Sequence, residues 1–415
     1  MKIAIIGSGI AGLTAAHLLA RQHELTVYEK EGWIGGHTHT LDVHMDGQQL
    51  AIDTGFIVYN DRTYPNFMKL MTQLGVESQA TEMSFSVHDP HSGFEYNGHS
   101  LNSLFARRRH LLSTRFWRML ADMMRFNRQA LDDLAATRLS DDLNLGQYLR
   151  QGSYGNDFIH QYIVPMGAAI WSMSLADMMA FPAHFFLRFF RHHGLLSIND
   201  RPQWRVIQGG SNAYIEPLIA PFRDSIKTHC PVTRVRRDDA GVMVESSAGS
   251  ARFDQVIFAC HSDQALSLLE APSAAESRIL GAIPYADNNV VLHTDSRLLP
   301  RRKRAWASWN YRLGQAAHLP ASVTYNMNIL QGLDSPTTFC VSLNQEELID
   351  PAKILARFTY SHPQYSLAGM EAQSHWGELS GANHSHFCGA YWGNGFHEDG
   401  VTSALRVAEA FGETL

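Results

Sequence analysis

The stretch KIAIIGSGIAGLTAAHLLA at residues 2–20 decides the fold of this chain. Its first five residues are a short apolar run with β-branched side chains, which is typical of a buried strand. A glycine-rich turn at residues 7–12 follows, then a run of good helix formers to Ala20, then a second apolar run at residues 25–29 that ends in an acid. The order strand, glycine turn, helix and strand predicts a βαβ unit.

The glycine turn has the spacing Gly7-x-Gly9-x-x-Gly12 between a strand and a helix. Gly7 permits a tight turn, Gly9 lets the backbone approach a pyrophosphate, and Gly12 lets helix and strand pack closely. The helix N-terminus offers free N–H groups to phosphates, and Glu29 can accept hydrogen bonds from ribose hydroxyls. The pattern predicts a dinucleotide site. The alternative, a glycine turn that binds no ligand, is disfavoured because the strand, the turn, the helix and Glu29 all occur at the spacing of a dinucleotide site.

Composition excludes several classes of protein. The 415 residues are 45% hydrophobic and 18% charged with a net charge of -6, which favours a globular core and argues against disorder or a globally basic nucleic-acid binder. The four cysteines form no CxxC pair, which argues against a disulfide scaffold or a thiolate zinc site and suits a reducing cytoplasm. No apolar run reaches the roughly 18 residues of a spanning helix. Residues 2–20 imitate a secretory signal, but the three glycines in their middle disfavour that interpretation.

Beyond Glu29, the pair Gly35-Gly36 allows a second backbone segment to approach the ligand. With this pair the sequence resembles the superfamily of flavin amine oxidases and carotenoid desaturases. Further segments match that superfamily in order: Ile52-Asp53-Thr54-Gly55-Phe56, Gln208-Gly209-Gly210-Ser211, the apolar runs at 232–235 and 255–260, and the run from Phe387 to Val401. More narrowly, GGHTHT and FHEDGVTSAL resemble a bacterial subgroup of NAD/FAD-binding, amine-oxidase-like proteins linked to cyclopropane or modified fatty acid synthesis.

The resemblance implies an α/β fold in which a Rossmann-type FAD-binding domain is interleaved with an α+β substrate domain. Dinucleotide-type signals lie at both ends of the chain, and residues 100–196 between them have helical spacing. We therefore predict that residues 1–75, 205–272 and 380–415 form the FAD-binding domain. Residues 76–204 and 273–379 are predicted to form the substrate domain with a helical lid.

The resemblance also implies non-covalent FAD. Its AMP half would lie at the glycine turn and its flavin ring near the C-terminal turn, where backbone amides at a helix start meet the flavin pyrimidine edge. The expected FAD contacts are Gly7, Gly9, Ile10, Ala11, Gly12, Glu29, Lys30, Gly35, Gly36, His37, Thr38, Val232, Gly389 and Val401.

The chain departs from the superfamily at four places. His37 replaces the Arg that many relatives carry after the glycine pair, and Ala390 replaces a common acid. Cys388 precedes Gly389 and has no counterpart among covalent flavin cysteines. Many amine oxidases place a Lys near the flavin from a substrate-domain strand, and here the strand predicted at 289–293 offers His293 instead.

Four residues are expected to be catalytic: His293 and, beside the predicted flavin edge, Trp392, His397 and Glu398. The alternative roles are capping and packing of the last helix for His397 and Glu398, and core packing for Tyr391-Trp392. Histidines at 37, 39, 44, 384 and 386 invite a metal interpretation, since His-x-His on a strand places both rings on one face. No third ligand stands out, so we expect no metal.

Residues 105–128 hold seven arginines among large apolar side chains. This mixture is typical of a helix that lies on an anionic membrane surface with a basic and an apolar face. The alternative is a helical lid whose apolar face belongs to the core, and residues 181–196 fit either description. Both would place Met and aromatic residues around a substrate channel.

Taken together, these features predict a cytoplasmic FAD-dependent oxidoreductase, peripheral to the membrane in one version, that removes a hydride from a hydrophobic fatty-acyl or lipid substrate. The alternatives are an amine oxidase acting on a soluble amine, a non-redox flavin isomerase or mutase, and a non-catalytic binding protein. The sequence does not fix the oligomeric state or the electron acceptor.

Overall fold

The computed structural model describes residues 1–140, 142–197, 199–314 and 316–415. The strands are β1 Lys2–Ile6, β2 Glu24–Tyr28, β3 Thr40–Met45, β4 Gln48–Asp53, β5 Tyr59–Asn60, β6 Ser78–Ala80, β7 Phe85–Asp89, β8 Phe94–Asn97, β9 Trp204–Ile207, β10 Ile226–Lys227, β11 Val232–Asp238, β12 Gly241–Ser246, β13 Gly249–Phe253, β14 Gln255–Phe258, β15 Tyr285–His293, β16 Trp309–Arg312, β17 Val323–Asn326, β18 Cys340–Leu343, β19 Ile354–Pro363 and β20 Ser385–Phe387. The α-helices are α1 Ile10–Leu19, α2 Pro65–Gln73, α3 Leu101–Leu104, α4 Thr114–Ala135, α5 Leu145–Gln151, α6 Asn156–Phe158, α7 Val164–Trp171, α8 Leu175–Ala180, α9 Ala183–His192, α10 Ile215–Ile219, α11 Ser262–Leu268, α12 Ala274–Leu280, α13 Met327–Leu330, α14 Leu367–Ser374 and α15 His397–Glu409.

The N-terminal segment lies at the centre of a five-stranded parallel sheet with the order β10-β2-β1-β14-β20. Ile5 of β1 pairs with Val27 on one side and with Ile257 on the other. Strands that are buried on both faces need continuous apolar runs, which β1 and β14 supply. The predicted βαβ unit is therefore confirmed, and residues 2–20 are part of the core.

The two ends of the chain meet in this sheet. β20 pairs with β14, and α15 packs against α1. The contact between the helices is close because a methyl group on Gly400 would lie 2.7 Å from Ile10 Cγ2. The first and last segments thus build one domain, with long insertions between them.

The insertions build a seven-stranded sheet of order β19-β15-β18-β17-β16-β7-β8. Its neighbours run antiparallel except for β16 and β7, which run parallel. The side chains of α4, α5, α7 and α9 pack with it in the largest hydrophobic cluster. The interleaved α/β fold class is confirmed, while the domain boundaries given above stay a prediction.

Two local predictions differ from the structure. The predicted basic helix is interrupted: a 3-10 turn covers Arg108–Leu112, and α4 begins at Thr114 because the Ser113 hydroxyl accepts a hydrogen bond from Phe116 N. The second prediction is a strand over residues 322–329, which their sequence favours; in the structure the strand ends at Asn326, whose side chain caps the short helix α13. In the described residues, we find no helix with the length and apolarity needed to cross a bilayer.

Candidate flavin-binding and active site

The three glycines of the first turn have different surroundings. Gly7 has φ +107°, and a methyl group there would lie 2.8 Å from the Ala259 carbonyl oxygen. A methyl group on Gly12 would overlap the Gly7 carbonyl oxygen, whereas one on Gly9 would meet nothing within 4 Å. Gly7 and Gly12 are therefore required by packing, and Gly9 leaves a space open beside the backbone.

Helix α1 starts next to this space. Gly9 is its N-cap residue, no side chain caps the helix, and its first turn contains no acidic residue. The first amides of such a helix have no partner within the helix and carry the positive end of its dipole. This end of α1, with the backbone of Ile10 and Ala11, fits a phosphate group.

The second glycine pair lies directly on the first turn. Gly35 N donates to Ser8 O at 2.9 Å, and a methyl group on Gly36, at φ +60°, would lie 3.1 Å from Gly9 Cα. Glu29 is buried at the same place, where its carboxylate accepts from Ser8 N at 3.0 Å and from Glu31 N at 2.9 Å. These contacts fix the carboxylate beside the glycine turn.

Two other predicted FAD contacts lie near Glu29. Cys230, two residues before Val232, donates its N–H to Glu29 O at 2.8 Å, so the start of β11 borders the end of β2. The Lys30 ammonium is exposed and lies 3.5 Å from the Glu31 carboxylate, which turns the side chain towards solvent. Roles for Lys30 and Val232 in FAD binding stay predictions.

The C-terminal turn faces this region from the other end of the chain. Gly389 N donates to Ser403 Oγ of α15 at 2.8 Å, and Val401 is fully buried. Tyr391 and Trp392 are buried side by side, with ring centroids 5.0 Å apart. The turn therefore brings the predicted residues Trp392, Gly389 and Val401 to the start of α15.

Beyond the glycine pair, the structure assembles a cluster of histidines that we call the imidazole cluster: His37, His261 and His362. The His37 ring lies 6.1 Å from that of His261 and 5.4 Å from that of His362. Burial lowers the pKa of His37 to about 4 and the pKa values of His261 and His362 to about 3. The cluster is therefore uncharged at neutral pH.

His397 is held rigidly at the N-terminus of α15. Its Nε2 lies 2.9 Å from Thr38 Oγ1, and its ring stacks on Phe56 with centroids 3.4 Å apart. Burial lowers its pKa well below the usual value, with a further contribution from His37. The structure thus joins three predicted site residues, His37, Thr38 and His397.

The structure separates two other predicted catalytic residues from this group. The Glu398 carboxylate accepts from Asn66 N at 3.1 Å and from Phe67 N at 2.8 Å, so it caps the N-terminus of α2. His293 is fully buried in its sheet, with Nε2 2.8 Å from Ser342 Oγ and Nδ1 accepting from Asp295 N. Capping is the alternative foreseen for Glu398, although the capped helix is α2 rather than α15.

The metal interpretation gains no support. Among the described residues, no three His, Cys, Asp or Glu side chains come together as a potential metal site. His39 instead bonds through Nδ1 to the Tyr360 hydroxyl at 2.9 Å and stacks on Trp33.

Unpartnered polar atoms test whether FAD fits here. Four buried polar atoms find no hydrogen-bond partner among the residues that the structure describes: His37 Nε2, the Tyr365 and Tyr391 hydroxyls and Trp392 Nε1. Such atoms are rare in folded proteins unless a ligand or water completes them. Together with the open space at Gly9 and the uncapped start of α1, they fit a ligand with both a pyrophosphate and a polar ring system, as FAD has.

Cysteine geometry agrees with non-covalent binding. Cys388 is fully buried, and burial raises the pKa of its thiol, so the group stays protonated. A protonated, covered thiol is a poor nucleophile.

Several residues of the site were missed from the sequence. His261 follows β14, while Tyr360 and His362 belong to β19 and face His37 from the substrate sheet. Asn288 of β15 joins them, with Nδ2 3.3 Å from His362 Nδ1. The alternation Phe358-x-Tyr360-x-His362 was the available signal, because alternate residues of a strand point to one face.

Comparison with known proteins places these features in a wider group. Residues 10–324 match the family described as "Flavin containing amine oxidoreductase". The AofH protein of Mycobacterium tuberculosis, whose name places it with flavin-containing monoamine oxidases, is 26% identical over 271 residues, which cover 62% of this chain and 56% of AofH. The zeta-carotene desaturase of Zea mays is 37% identical over 79 residues, which cover 19% of this chain and 13% of the desaturase. The matches thus span little more than half of AofH and a small part of the desaturase.

Solved structures share the fold over nearly the whole chain. Cyclohexylamine oxidase from Brevibacterium oxydans IH-35A superposes with a TM-score of 0.70 at 16% identity, covering 99% of both chains. A fatty acid isomerase from P. acnes that produces CLA superposes with a TM-score of 0.69 at 16% identity, covering 99% of this chain and 98% of the isomerase. At such identities the likeness establishes the fold alone.

Proposed function

Since this chain belongs to the family of flavin-containing amine oxidoreductases and is a FAD-dependent oxidoreductase, we propose that it removes a hydride from a carbon atom of a fatty-acyl or similar lipid substrate. FAD, when bound at this site, would supply the two-electron acceptor for the hydride, and oxygen or an electron carrier would then take up the two electrons. The observation that carries the proposal is a set of five buried or half-buried rings next to His397. We call this set the aromatic wall: Phe181, Phe185, Phe189, Tyr365 and Phe396.

The aromatic wall begins at the predicted flavin edge and continues into the substrate domain. Phe396 immediately precedes His397 and stacks on Phe189 of α9, with centroids 5.4 Å apart and planes at 25°. Phe185, one turn earlier on α9, stacks on Tyr365 at 5.5 Å. Ring surfaces of this kind bind hydrocarbon by burial of apolar area, at about 25 cal/mol per Å². An acyl chain fits such surroundings better than a sugar or a charged amine.

The charge state of the site agrees with a neutral substrate. The imidazole cluster and His397 are uncharged at pH 7, because burial lowers their pKa values. An apolar, uncharged site excludes water from the reacting carbon. Among the described residues, His37 Nε2 has no hydrogen-bond partner, so this nitrogen can relay the proton that leaves a C–H bond adjacent to the one that loses the hydride; its lowered pKa means that it passes the proton on rather than keeping it.

The remaining groups bind and orient. The uncapped start of α1 and the space at Gly9 hold the pyrophosphate, and Glu29 orients the adenosine half. Thr38 and Phe56 fix the His397 ring, which sets the position of the α15 N-terminus. The start of α15 would border the flavin pyrimidine edge, although Glu398 and Asp399 lie in its first turn and Asp399 accepts a hydrogen bond from Phe396 N at 2.9 Å.

Anaerobic bleaching of the flavin absorbance tests the proposal. FAD-loaded protein is mixed with fractionated acyl lipids and, separately, with soluble amines. We expect bleaching by an acyl lipid. In Phe396→Leu the rate should fall about 2- to 13-fold through loss of a ring contact worth about 0.5–1.5 kcal/mol, while Phe105→Leu, a buried ring outside the wall, should leave it unchanged. Bleaching by amines and by no lipid fraction contradicts the proposal.

The same experiment separates two other activities. An amine oxidase would be bleached by an amine and release hydrogen peroxide in air. The similarity to AofH, at 26% identity over 271 residues, favours testing this activity first among the alternatives. An isomerase or mutase would convert its substrate with no net bleaching and no oxygen consumption.

A further inference from the structure

Two basic segments that are distant in sequence meet on one surface of the substrate sheet. Residues 107–109 lie between α3 and α4, and residues 301–304 lie between β15 and β16. Residues 106–109 and 302–304 line an open groove of about 910 Å³. An adjoining groove of about 380 Å³ shares Arg107 and Arg302 and adds Arg301. We call the seven cations of residues 107–109 and 301–304 the basic groove.

The positive charge of the basic groove is almost unopposed. Among the described residues, the only ion pair made by these seven side chains joins Arg302 to Glu95. Arg109 and Arg304 are exposed and form no ion pair within the described chain, and the other hydrogen bonds of the groove go to uncharged oxygens. Because the whole chain has a net charge of -6, this positive surface is a local feature.

Large apolar side chains stand exposed beside the basic groove. Of the eleven that are exposed among the described residues, six fall within residues 101–131. Leu112 is 90% exposed and Leu101 is 77% exposed. The other four are Leu111, Trp117, Met124 and Leu131, the last three spaced by seven residues along α4. Such a concentration of exposed apolar surface marks an interaction site.

These exposed side chains are additional to the face that α4 contributes to the core. Phe116, Met119 and Phe126 of α4 point inward and are buried. The N-terminus of α4 is close to the groove because it directly follows the 3-10 turn Arg108–Leu112 and contacts it. On the other side of the groove, α3 contacts the 3-10 turn Lys303–Ala305. The outward face of α4 and the groove therefore form one continuous surface that is both basic and apolar.

We propose that this surface docks onto an anionic lipid bilayer, with the arginines of the basic groove on lipid phosphates and Leu101, Leu112 and Trp117 in the headgroup region. Arginine pairs with phosphate through two parallel hydrogen bonds, and neighbouring apolar side chains gain by leaving water. Charge alone would equally suit a nucleic acid, but a leucine that is 90% exposed has no role on a phosphodiester backbone. The docking does not depend on which substrate the enzyme oxidises.

Vesicle flotation with the FAD-loaded full chain tests this docking. We expect binding to vesicles of phosphatidylcholine with phosphatidylglycerol, little binding to phosphatidylcholine alone, and loss of binding at high salt. Removing two groove charges in Arg109→Ser/Arg304→Ser should lower the partition coefficient about 30-fold, at about 1 kcal/mol for each cation near the surface. Leu112→Ser should lower it about 10- to 150-fold, because a buried Leu contributes about 1.5–3 kcal/mol.

Matched variants control for net charge and for apolar content. Arg21→Ser/Arg236→Ser removes two exposed arginines elsewhere, and Leu348→Ser removes another exposed leucine; both should bind vesicles as the parent does. Flavin content and melting temperature show that each variant is folded. Three results overturn the proposal: equal binding to neutral vesicles, equal loss in the control variants, or binding of duplex DNA without binding of anionic vesicles.

Discussion

The substitution Gly9→Ala separates the structural and ligand-binding roles of the glycine turn. Gly9 has φ -70° and ψ 176°, which any L-residue adopts, and a methyl group there meets no atom within 4 Å. Replacing Gly by Ala without strain stabilises a protein by about 0.4–1 kcal/mol through the unfolded state. Alanine is a poorer N-cap than glycine, which costs about the same amount. We therefore expect the free energy of unfolding of the FAD-free protein to change by less than about 0.5 kcal/mol.

FAD binding should respond differently to the same methyl group. The space beside Gly9 is where a pyrophosphate would approach the start of α1. Extra volume in a close-packed contact costs about 1–3 kcal/mol, which corresponds to about 5- to 150-fold weaker binding. The expected signature is an almost unchanged apoprotein with a weakened affinity for FAD.

Two measurements on the FAD-free protein check this expectation: urea unfolding, and titration with FAD followed by quenching of flavin fluorescence. Gly12→Ala is the matched control, because its methyl group overlaps the Gly7 carbonyl oxygen and should destabilise the apoprotein itself. Unaltered FAD affinity in Gly9→Ala would refute the placement of the pyrophosphate. A loss of more than about 1 kcal/mol of apoprotein stability would show that Gly9 is needed for packing instead.

Three further predictions concern the other site residues. Glu398→Ala should lower the free energy of unfolding by about 1–2 kcal/mol through loss of the α2 cap, with flavin reduction within twofold of the parent rate; a 100-fold slower reduction would restore the catalytic role. Burial lowers the pKa values of His261 and His362 to about 3, from 6.5 in the unfolded chain. Below pH 6.5 the unfolded state then binds more protons than the folded state, so the free energy of unfolding of the apoprotein should decrease as the pH is lowered. Each His→Gln change should reduce the slope of unfolding free energy against pH by about 1.4 kcal/mol per pH unit, as measured by urea unfolding. Acid precipitation should leave FAD in the supernatant, whereas flavin in the pellet would indicate a covalent bond, for which Cys388 would be examined first.

Local sequence predicted the backbone of the glycine turn and its flanking elements well. The strand, the glycine turn and α1 are contiguous, and the backbone demands at Gly7 and Gly12 are met within the same segment or by the adjacent strand β14. The glycine pair at 35–36 was equally visible, because its positive φ angles require glycine. Motifs of this kind reflect local backbone geometry. They can therefore be interpreted without knowing which other segments pack against them.

The direction of individual side chains was less predictable. His397 and Glu398 are neighbours in sequence, but successive residues of an α-helix point about 100° apart. His397 therefore faces Thr38 while Glu398 faces α2. On β15, Asn288 and His293 are five residues apart and so point to opposite faces of the sheet, and the face that meets His362 is that of Asn288.

The imidazole cluster could not be predicted because its members are brought together only by tertiary structure. His37 and His261 belong to two segments of the nucleotide-binding sheet region, and His362 belongs to the substrate sheet. Each histidine alone resembles an ordinary polar residue at a strand end. Their common property, a pKa lowered by burial, depends on the packing of the two domains against each other.

Helix α4 links the proposed docking surface to the proposed substrate site. Its inward side chains pack with α9, and Phe189 of α9 contacts Phe396 beside the predicted flavin edge. The sequence offered a membrane-surface helix and a core helix as alternatives; the buried Phe116 fits the core helix, while the exposed Trp117 and Met124 leave the outward face of the same helix for the proposed docking. The proposed bilayer-docking surface and the proposed acyl-binding rings are therefore separated by the thickness of two packed helices. An acyl chain that leaves the bilayer at this surface would have a short apolar path to the flavin, which is the arrangement that a lipid-oxidising enzyme requires.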